Sequence, residues 1–441
     1  MREAMRRGRC IAVLAGMGVL VPACGAQVAF RDAIRRAVEN SPRVKAAESD
    51  VKKAQAGVAA VRDMYIPSVV MGGGVGDAYG ITLTVPTIFT VSAQSLVFSL
   101  QQRAYIRGAK SDLEAARLAL EEVKQQVEED AAITYLSVDT AEETKAALDE
   151  QYEYAEKLAA IMQDRLHANL ESELAVLQYR RGELQITLAR MDAADQVEDL
   201  RGHLAQLTGI AADGLKIAPE TIPAISAASV PETVGEGGFM ETPGIRAAAA
   251  SDRAKADRAR GDAEYTWRPQ VSFAATYGRV SPIENVSQYY NLNGIYNTAS
   301  FGFTVQFPLL DRVRKAAADE SRLDAKLAEM DLEVLRSDER AGRHKLSRSL
   351  PELTTKAELA DLNYEIAQKQ VESAEAEAQH ATGEPPVTPK ETINAHIEER
   401  QKYMEVLSAK LEARKAQITY LRMTNQLDGW LGTLPETASG K

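Results

Sequence analysis

Cysteine is almost missing from this chain of 441 residues, and its two copies, Cys10 and Cys24, both lie near the start. The rest of the sequence therefore has no thiol for a disulfide framework or for a cysteine-based metal site. The five histidines are not spaced as metal ligands, and neither a nucleophile elbow nor a kinase-type phosphate loop occurs. These absences predict a protein that is not an enzyme and that needs no cofactor or metal.

Aromatic residues are also scarce, at 6%. The net charge is −11, and acidic and basic residues are interleaved, so there is no basic stripe that would bind nucleic acid. Beyond the N-terminal region no apolar run approaches the ~20 residues that a membrane-spanning helix needs. What is abundant instead is Ala, Glu, Lys, Gln and Leu in long stretches, which favours long helices packed through small side chains.

The first 26 residues have the pattern of an export signal. Four arginines within the first nine residues precede an apolar run from Ile11 to Val21, and small residues follow. Two interpretations of its processing stay open. The signal is cut after Ala26, which leaves Gln27 first, or Cys24 is the lipidated residue of a lipoprotein box.

The sequence of the mature chain contains an internal duplication. Residues 41–47 resemble residues 242–248, and each stretch opens a charged, Ala-rich helix that ends at a proline, Pro67 or Pro269. After each proline we predict two strands, one very long helix and a second helix. The first repeat covers 27–210 and the second 242–434. Residues 211–241 lie between them, and 435–441 form a flexible tail.

Each repeat is predicted to contain two strands. In the second repeat apolar side chains occupy every other position over about the length of a membrane-spanning strand. The predicted strands are 68–77, 81–92, 270–280 and 298–309. Four strands cannot close a barrel, and open edges are not tolerated in lipid, so several copies must each contribute four. Three copies would supply twelve strands, within the range of outer-membrane barrels.

Long helices are predicted within 101–208, which holds two of them, and over 311–380 and 390–434. Between Gln101 and Leu166 there is no proline and one glycine, Gly108, so this segment reaches on the order of 100 Å. Its apolar positions step by three and four, as do those of the second repeat, which is close to a coiled-coil seam. The latter positions are Leu323, Leu327, Met330 and Val334.

Several short motifs carry a resemblance to a known family. They are Asn40-Ser41-Pro42, Tyr65-Ile66-Pro67, Leu204-Ala205-Gln206-Leu207-Thr208-Gly209 and Phe307-Pro308-Leu309-Leu310-Asp311. In their order, spacing and duplication they resemble the TolC-like outer membrane efflux protein family, also called outer membrane factors. The resemblance implies an α+β membrane protein, in which a homotrimer joins a long α-helical coiled-coil barrel to a β-barrel of four strands per protomer.

The same resemblance implies a function. The chain would be the outer-membrane channel of a tripartite efflux or type I secretion system, a passive export duct gated at its periplasmic tip. Its partners would be outer-membrane lipid, a periplasmic adaptor (membrane fusion protein) and an inner-membrane transporter. Two alternatives are a periplasmic coiled-coil structural or adaptor protein without a channel, and a secreted enzyme on a helical scaffold, which the missing catalytic site disfavours.

By the resemblance, each repeat has one adaptor-contact tip. The tip residues are Ala168, Asn169 and Leu170 in the first repeat and Gly383 and Glu384 in the second. The first tip has Ala168-Asn169 where the family usually has a glycine.

A pore constriction is expected just after the second tip, at Lys390, Glu391 and Asn394. Three copies of Glu391 around an axis would favour cations by their field. The competing interpretation is that Glu391 is a first-turn acid, which the helix dipole favours after Pro389.

Overall fold

The structure is a computed structural model, and it describes residues 27–73, 87–212, 215–223, 241–265, 268–280, 297–308, 311–379 and 389–433. The first repeat contains β1 (Gln27–Val28), α1 (Phe30–Asn40), α2 (Pro42–Arg62), β2 (Ser68–Gly73), β3 (Thr87–Phe98), α3 (Leu100–His167) and α4 (Glu173–Thr208). After β4 (Lys216–Ile217), the second contains α5 (Pro243–Tyr265), β5 (Gln270–Val280), β6 (Asn297–Gln306), α6 (Arg312–Gln379), α7 (Pro389–Met423) and α8 (Leu427–Thr433).

The order of elements thus repeats as the sequence predicted. α2 and α5 each begin with a proline, at Pro42 and Pro243, where its fixed φ suits a first helical turn and its missing N–H costs nothing. α3 and α6 each have 68 residues, a length on the order of 100 Å. None of the helices in the described ranges is both long and apolar enough to cross a membrane.

α3 is the central helix of the bundle and packs against α1, α2, α4, α5 and α7, while α6 packs against α5 and α7. α4 and α6 therefore lie on opposite margins. At Gly108 the helices α3 and α5 approach so closely that a Cβ would lie 3.0 Å from the carbonyl oxygen of Ala254. The single glycine of α3 thus marks its crossing with α5.

The hydrophobic core lies where the middle of α3 meets α1, α8 and the short parallel β1–β4 pair. Phe30 packs edge-to-face on Tyr135, with ring centroids 5.3 Å apart. The buried Tyr135 hydroxyl donates to the carbonyl of Val28 and accepts from the backbone N–H of Ala218, both at 2.8 Å. One side chain of α3 therefore joins β1 to the β4 segment between the repeats.

Three predicted boundaries need correction. The second strand continues to Phe98, six residues beyond its predicted end, because pairing with β5 holds Ser95 and Phe98 in the sheet; its predicted start lies outside the described residues. β6 ends at Gln306, three residues earlier than predicted. The helix predicted over 390–434 is interrupted after Met423, where Asn425 has a φ of 56°, and α8 follows with Leu427 buried.

Candidate functional site

β2, β3, β5 and β6 form one antiparallel sheet in the order β2-β3-β5-β6. Within the described residues β2 and β6 are its end strands, so each presents one row of backbone donors and acceptors that no neighbouring strand pairs. Such edges pair readily with another strand. The sheet is therefore open on both sides in a single chain.

The two faces of this sheet differ in chemistry. Because directly paired residues share a face, the register puts Phe273 beside Phe303 and Ser272 beside Thr304. The apolar face contains Val69, Met71, Val91, Ala93, Val271, Phe273, Ala275, Tyr277, Phe301, Phe303 and Val305. The opposite face contains mainly Ser, Thr, Gln, Gly and Ala, for example Ser92, Gln94, Thr276, Ser300 and Gln306.

The apolar face is uncovered. Phe301 is 83% exposed and Met71 is 71% exposed, although both are large apolar side chains. Monomeric water-soluble proteins rarely expose contiguous apolar surface of this kind. The face therefore needs an apolar environment that a single chain does not supply.

Each margin of the helix bundle also exposes an apolar row, which we call a seam. The α4 seam is Leu174, Leu177, Leu184, Leu188 and Met191. The α6 seam has two parts. The upper part, nearer the sheet, is the predicted Leu323, Leu327, Met330 and Val334, and the lower part, nearer the end of α6, is Leu359, Leu362 and Ile366. Both seams follow the three-and-four spacing by which helices pack knobs into holes.

The predicted first tip is a tight helical hairpin between α3 and α4. Asn169 has a φ of 58°, in the left-handed region that glycine usually occupies and that asparagine tolerates. The N–H of Leu170 donates to the carbonyl of Arg165 at 2.9 Å, and the Ser172 hydroxyl caps α4 by accepting from the N–H of Ala175. Asn169 thus takes the place of the glycine that the sequence lacks here.

The structure joins this hairpin to the start of α7. Lys390 Nζ lies 3.4 Å from Glu171 Oε1, and Arg165 Nε lies 3.4 Å from the same oxygen. Lys390 also lies over the ring of Tyr179 at 5.3 Å. Burial lowers the pKa of Lys390, but its contacts with Tyr179 and Glu171 outweigh burial, so the pKa lies above its usual value. We call Lys390, Glu171, Arg165 and Tyr179 the tip latch.

The three predicted pore residues all lie at the start of α7, but their side chains have different surroundings. Lys390 belongs to the tip latch, Glu391 is an exposed acid of the first turn of α7, and Asn394 is half-buried on the same helix. The predicted tip residues Gly383 and Glu384 and the lipidation candidate Cys24 lie outside the described residues. Sequence reasoning missed the pairing of Glu171 with Lys390, for which the only signal was opposite charge near the two predicted tips.

Further from the tip, polar contacts bind α3 to α7. Gln151 Nε2 donates to the carbonyl of Ile397 at 3.0 Å, and the His396 ring stacks on Tyr154 with centroids 4.6 Å apart. Among the described residues no group of three or more His, Cys, Asp and Glu is placed to hold a metal ion.

Part of the sequence matches a known protein family. Residues 33–210 match the sequence profile of the family described as outer membrane efflux protein. A search among curated protein sequences found no match.

Solved structures share the fold over nearly the whole chain. The outer-membrane channel OprN has a TM-score of 0.73 at 16% identity, covering 91% of this chain and 90% of its own. CusC, reported with the conformational changes that accompany folding and transmembrane channel formation, has a TM-score of 0.72 at 14% identity, covering 90% and 92%. The outer membrane protein VceC from Vibrio cholerae has a TM-score of 0.69 at 14% identity, covering 90% and 95%. The first repeat of this chain thus matches the outer membrane efflux protein family in sequence, and nearly the whole chain shares the fold of solved outer-membrane channels.

Proposed function

We propose that this protein is the outer-membrane channel of a tripartite efflux or type I secretion system, a passive export duct gated at its periplasmic tip. The observation that carries the proposal is the four-stranded sheet with one apolar face, one polar face and two unpaired edges. A closed barrel in lipid satisfies all three features, because its outside is apolar, its inside is polar and it has no edge.

Three copies are the number that fits. A closed ring requires head-to-tail interfaces, in which two different surfaces of each copy meet. β2 and β6 supply such a pair in the sheet, and the α4 and α6 seams supply one in the helices. Three copies give twelve strands, an even number in the range of outer-membrane barrels.

The seams lie at matching heights. Leu184 and Leu188 are 12 to 16 residues beyond the N-cap of α4, and Leu362 is 17 residues before the end of α6, so both lie about 20–25 Å from the hairpin end of the bundle. Packing the α4 seam of one copy against the lower α6 seam of the next buries both. The helices then continue the barrel as a hollow cylinder in the periplasm.

The tip latch is the device that we assign to the gate. It holds α7 of the second repeat against the α3–α4 hairpin of the first, at the end of the bundle away from the sheet. The cylinder widens at this end when α7 and α6 move away from α3 and α4, which requires Lys390 to leave Glu171. An adaptor from the periplasm that binds the tips would drive this movement, and a transporter in the inner membrane would supply the cargo and the energy. The Glu391 ring remains part of this proposal as the cation-favouring element beside the latch.

The first experiment is conductance across a planar lipid bilayer, with the mass of the detergent-extracted protein measured alongside. We expect a trimer with small, cation-selective conductance. Exposed or half-exposed ion pairs contribute about 0.5–1 kcal/mol each, so Lys390→Ala in all three copies should favour the open state by roughly ten- to a hundredfold. Glu391→Ala should raise conductance and weaken cation selectivity.

Lys402→Ala is the matched control, because Lys402 lies on the same helix but pairs with Glu405 of that helix, 3.0 Å away. Its conductance should equal that of the wild type. The double exchange Lys390→Glu with Glu171→Lys should restore the closed state. A monomer, or a trimer that stays silent in every variant, would instead support a periplasmic coiled-coil structural protein.

A further inference from the structure

The last helix, α8, packs against the core at the middle of α3. Leu427 is fully buried in the core, and Trp430 packs edge-to-face on Phe30 with ring centroids 6.2 Å apart. The turn before it is closed by backbone bonds, among them the N–H of Gln426 to the carbonyl of Leu421 at 2.8 Å. A polar cluster accompanies this apolar contact.

In that cluster a buried amide of α3 holds the start of α8. Gln125, 4% exposed, donates from Nε2 to Asn425 Oδ1 at 2.9 Å and to Asp428 Oδ2 at 3.0 Å. One turn further along α3, the Glu128 carboxyl is in hydrogen-bonding contact with Asp428. The Oε2 atom of Glu128 is shielded from solvent and has no hydrogen-bond partner.

A negative charge on Asp428 beside Glu128 disfavours the charged form of Glu128. Asp428 is exposed and accepts a hydrogen bond from Gln125. Glu128 has a shielded oxygen that nothing solvates, which favours its neutral form. Burial first, and then the hydrogen bond and the negative charge of Asp428, raise the pKa of Glu128 to about 8.

The other charged groups around Glu128 do not reverse this. Lys124, on the same helix, lowers the pKa of Glu128 but is the weakest of the four contributions. The remaining nearby cations are engaged elsewhere: Arg422 of α7 with Glu122 and Glu129, Arg43 of α2 with Gln126, and His203 of α4 with Asp130.

We propose that a proton on Glu128, donated to Asp428, is a clasp that holds α8 on α3 and that opens as the pH rises. The clasp lies within one chain and does not rest on the channel function. Only the protonated form donates to Asp428; the ionised form repels it, and the repulsion acts directly at the first turn of α8.

The direction of the pH effect follows from the raised pKa of Glu128, about 8 when α8 is docked against an ordinary value of 4.5. The contribution of the clasp is complete below about pH 4.5. Between about pH 4.5 and pH 8 the equilibrium constant for docking of α8 falls by up to about tenfold per pH unit. Above about pH 8 it no longer changes with pH.

Amide hydrogen exchange of the full-length, detergent-extracted protein tests this, because it measures opening even when the open form is rare. Protection of Leu427–Thr433, corrected for intrinsic exchange and referred to peptides of α4, should fall several-fold per pH unit between pH 5 and 8. In Glu128→Gln the amide donates to Asp428 at every pH, so protection should stay flat.

Two further variants make the test decisive. Asp428→Asn removes the repulsion at an exposed position and should also flatten the slope, whereas Glu121→Gln, an exposed acid of the same helix, should keep the wild-type slope. Equal slopes in the wild type and in both clasp variants would overturn the proposal. A second outcome would also overturn it. If millimolar calcium restored protection of α8 at pH 8.5 in the wild type but not in Glu128→Gln, a bound cation and not a proton would hold Glu128 and Asp428 together.

Discussion

Gly209, the last residue of the Leu204–Gly209 motif, shows what a single position can require. It ends α4 with a φ of 72°, and a Cβ built on it would lie 3.2 Å from the side chain of Asn40, whose Nδ2 donates to the carbonyl of Thr208. Only glycine satisfies both the left-handed backbone and the close contact. The motif therefore joins the end of α4 to the end of α1.

Gly209→Ala should accordingly destabilise the protein, by about 1–2 kcal/mol from the left-handed backbone alone. Gly202, two turns earlier in the same helix, has nothing within 4 Å of its built Cβ. Gly202→Ala should stabilise by about 0.5–1 kcal/mol, because alanine is the better helix former. Thermal unfolding followed by helical circular dichroism measures both. Shifts of the same sign would contradict the role of Gly209.

At the scale of elements, the main feature of the sheet is that one face is apolar and the other is polar. Phe303 and Thr304 are neighbours in β6 but lie on opposite faces, paired with Phe273 and Ser272. In the proposed barrel one meets lipid and the other meets water. A substitution that adds the same charge at each position therefore separates the two environments.

Phe303→Arg should reduce insertion and trimer formation, because arginine on the lipid face costs about 2–4 kcal/mol near the middle of the membrane. Thr304→Arg should insert normally and shift ion selectivity toward anions. The yield of heat-modifiable trimer from outer-membrane extracts measures insertion. Equal losses in both variants would contradict the assignment of the faces.

The proposed trimer depends on the two seams that a single chain leaves exposed. Leu184 belongs to the α4 seam, and its neighbour Gln185 is exposed beside it. Leu184→Glu should shift the mass from trimer to monomer, because the charge would be buried against the next copy without a partner. Gln185→Glu adds the same charge beside the seam and should leave the trimer intact. Native mass measurement in detergent distinguishes these results, and a trimer that survives Leu184→Glu would place the interface elsewhere.

The sequence by itself determined the local features of this protein. The order of elements, the duplication and the alternation in β5 and β6 are written in proline positions and in periods of two and of three to four, which act between residues close in the chain. The resemblance to the outer membrane efflux protein family could be recognised for the same reason, since the motifs that carry it mark helix ends and helix-to-strand junctions. The turn between α3 and α4 lies where the sequence predicted the first tip, and the positive φ of Asn169 explains how the chain turns there without glycine.

Only the tertiary structure decided the contacts between distant residues. Lys390 lies 219 positions from Glu171, and Asp428 lies 300 positions from Glu128, so no periodicity connects them. The interruption of the last helix after Met423 has the same origin, because the burial of Leu427 in a core built around Phe30 and Tyr135 fixes α8 in place. A pattern along the chain specifies which face of an element is apolar, but the packing of the other elements decides which apolar faces are covered.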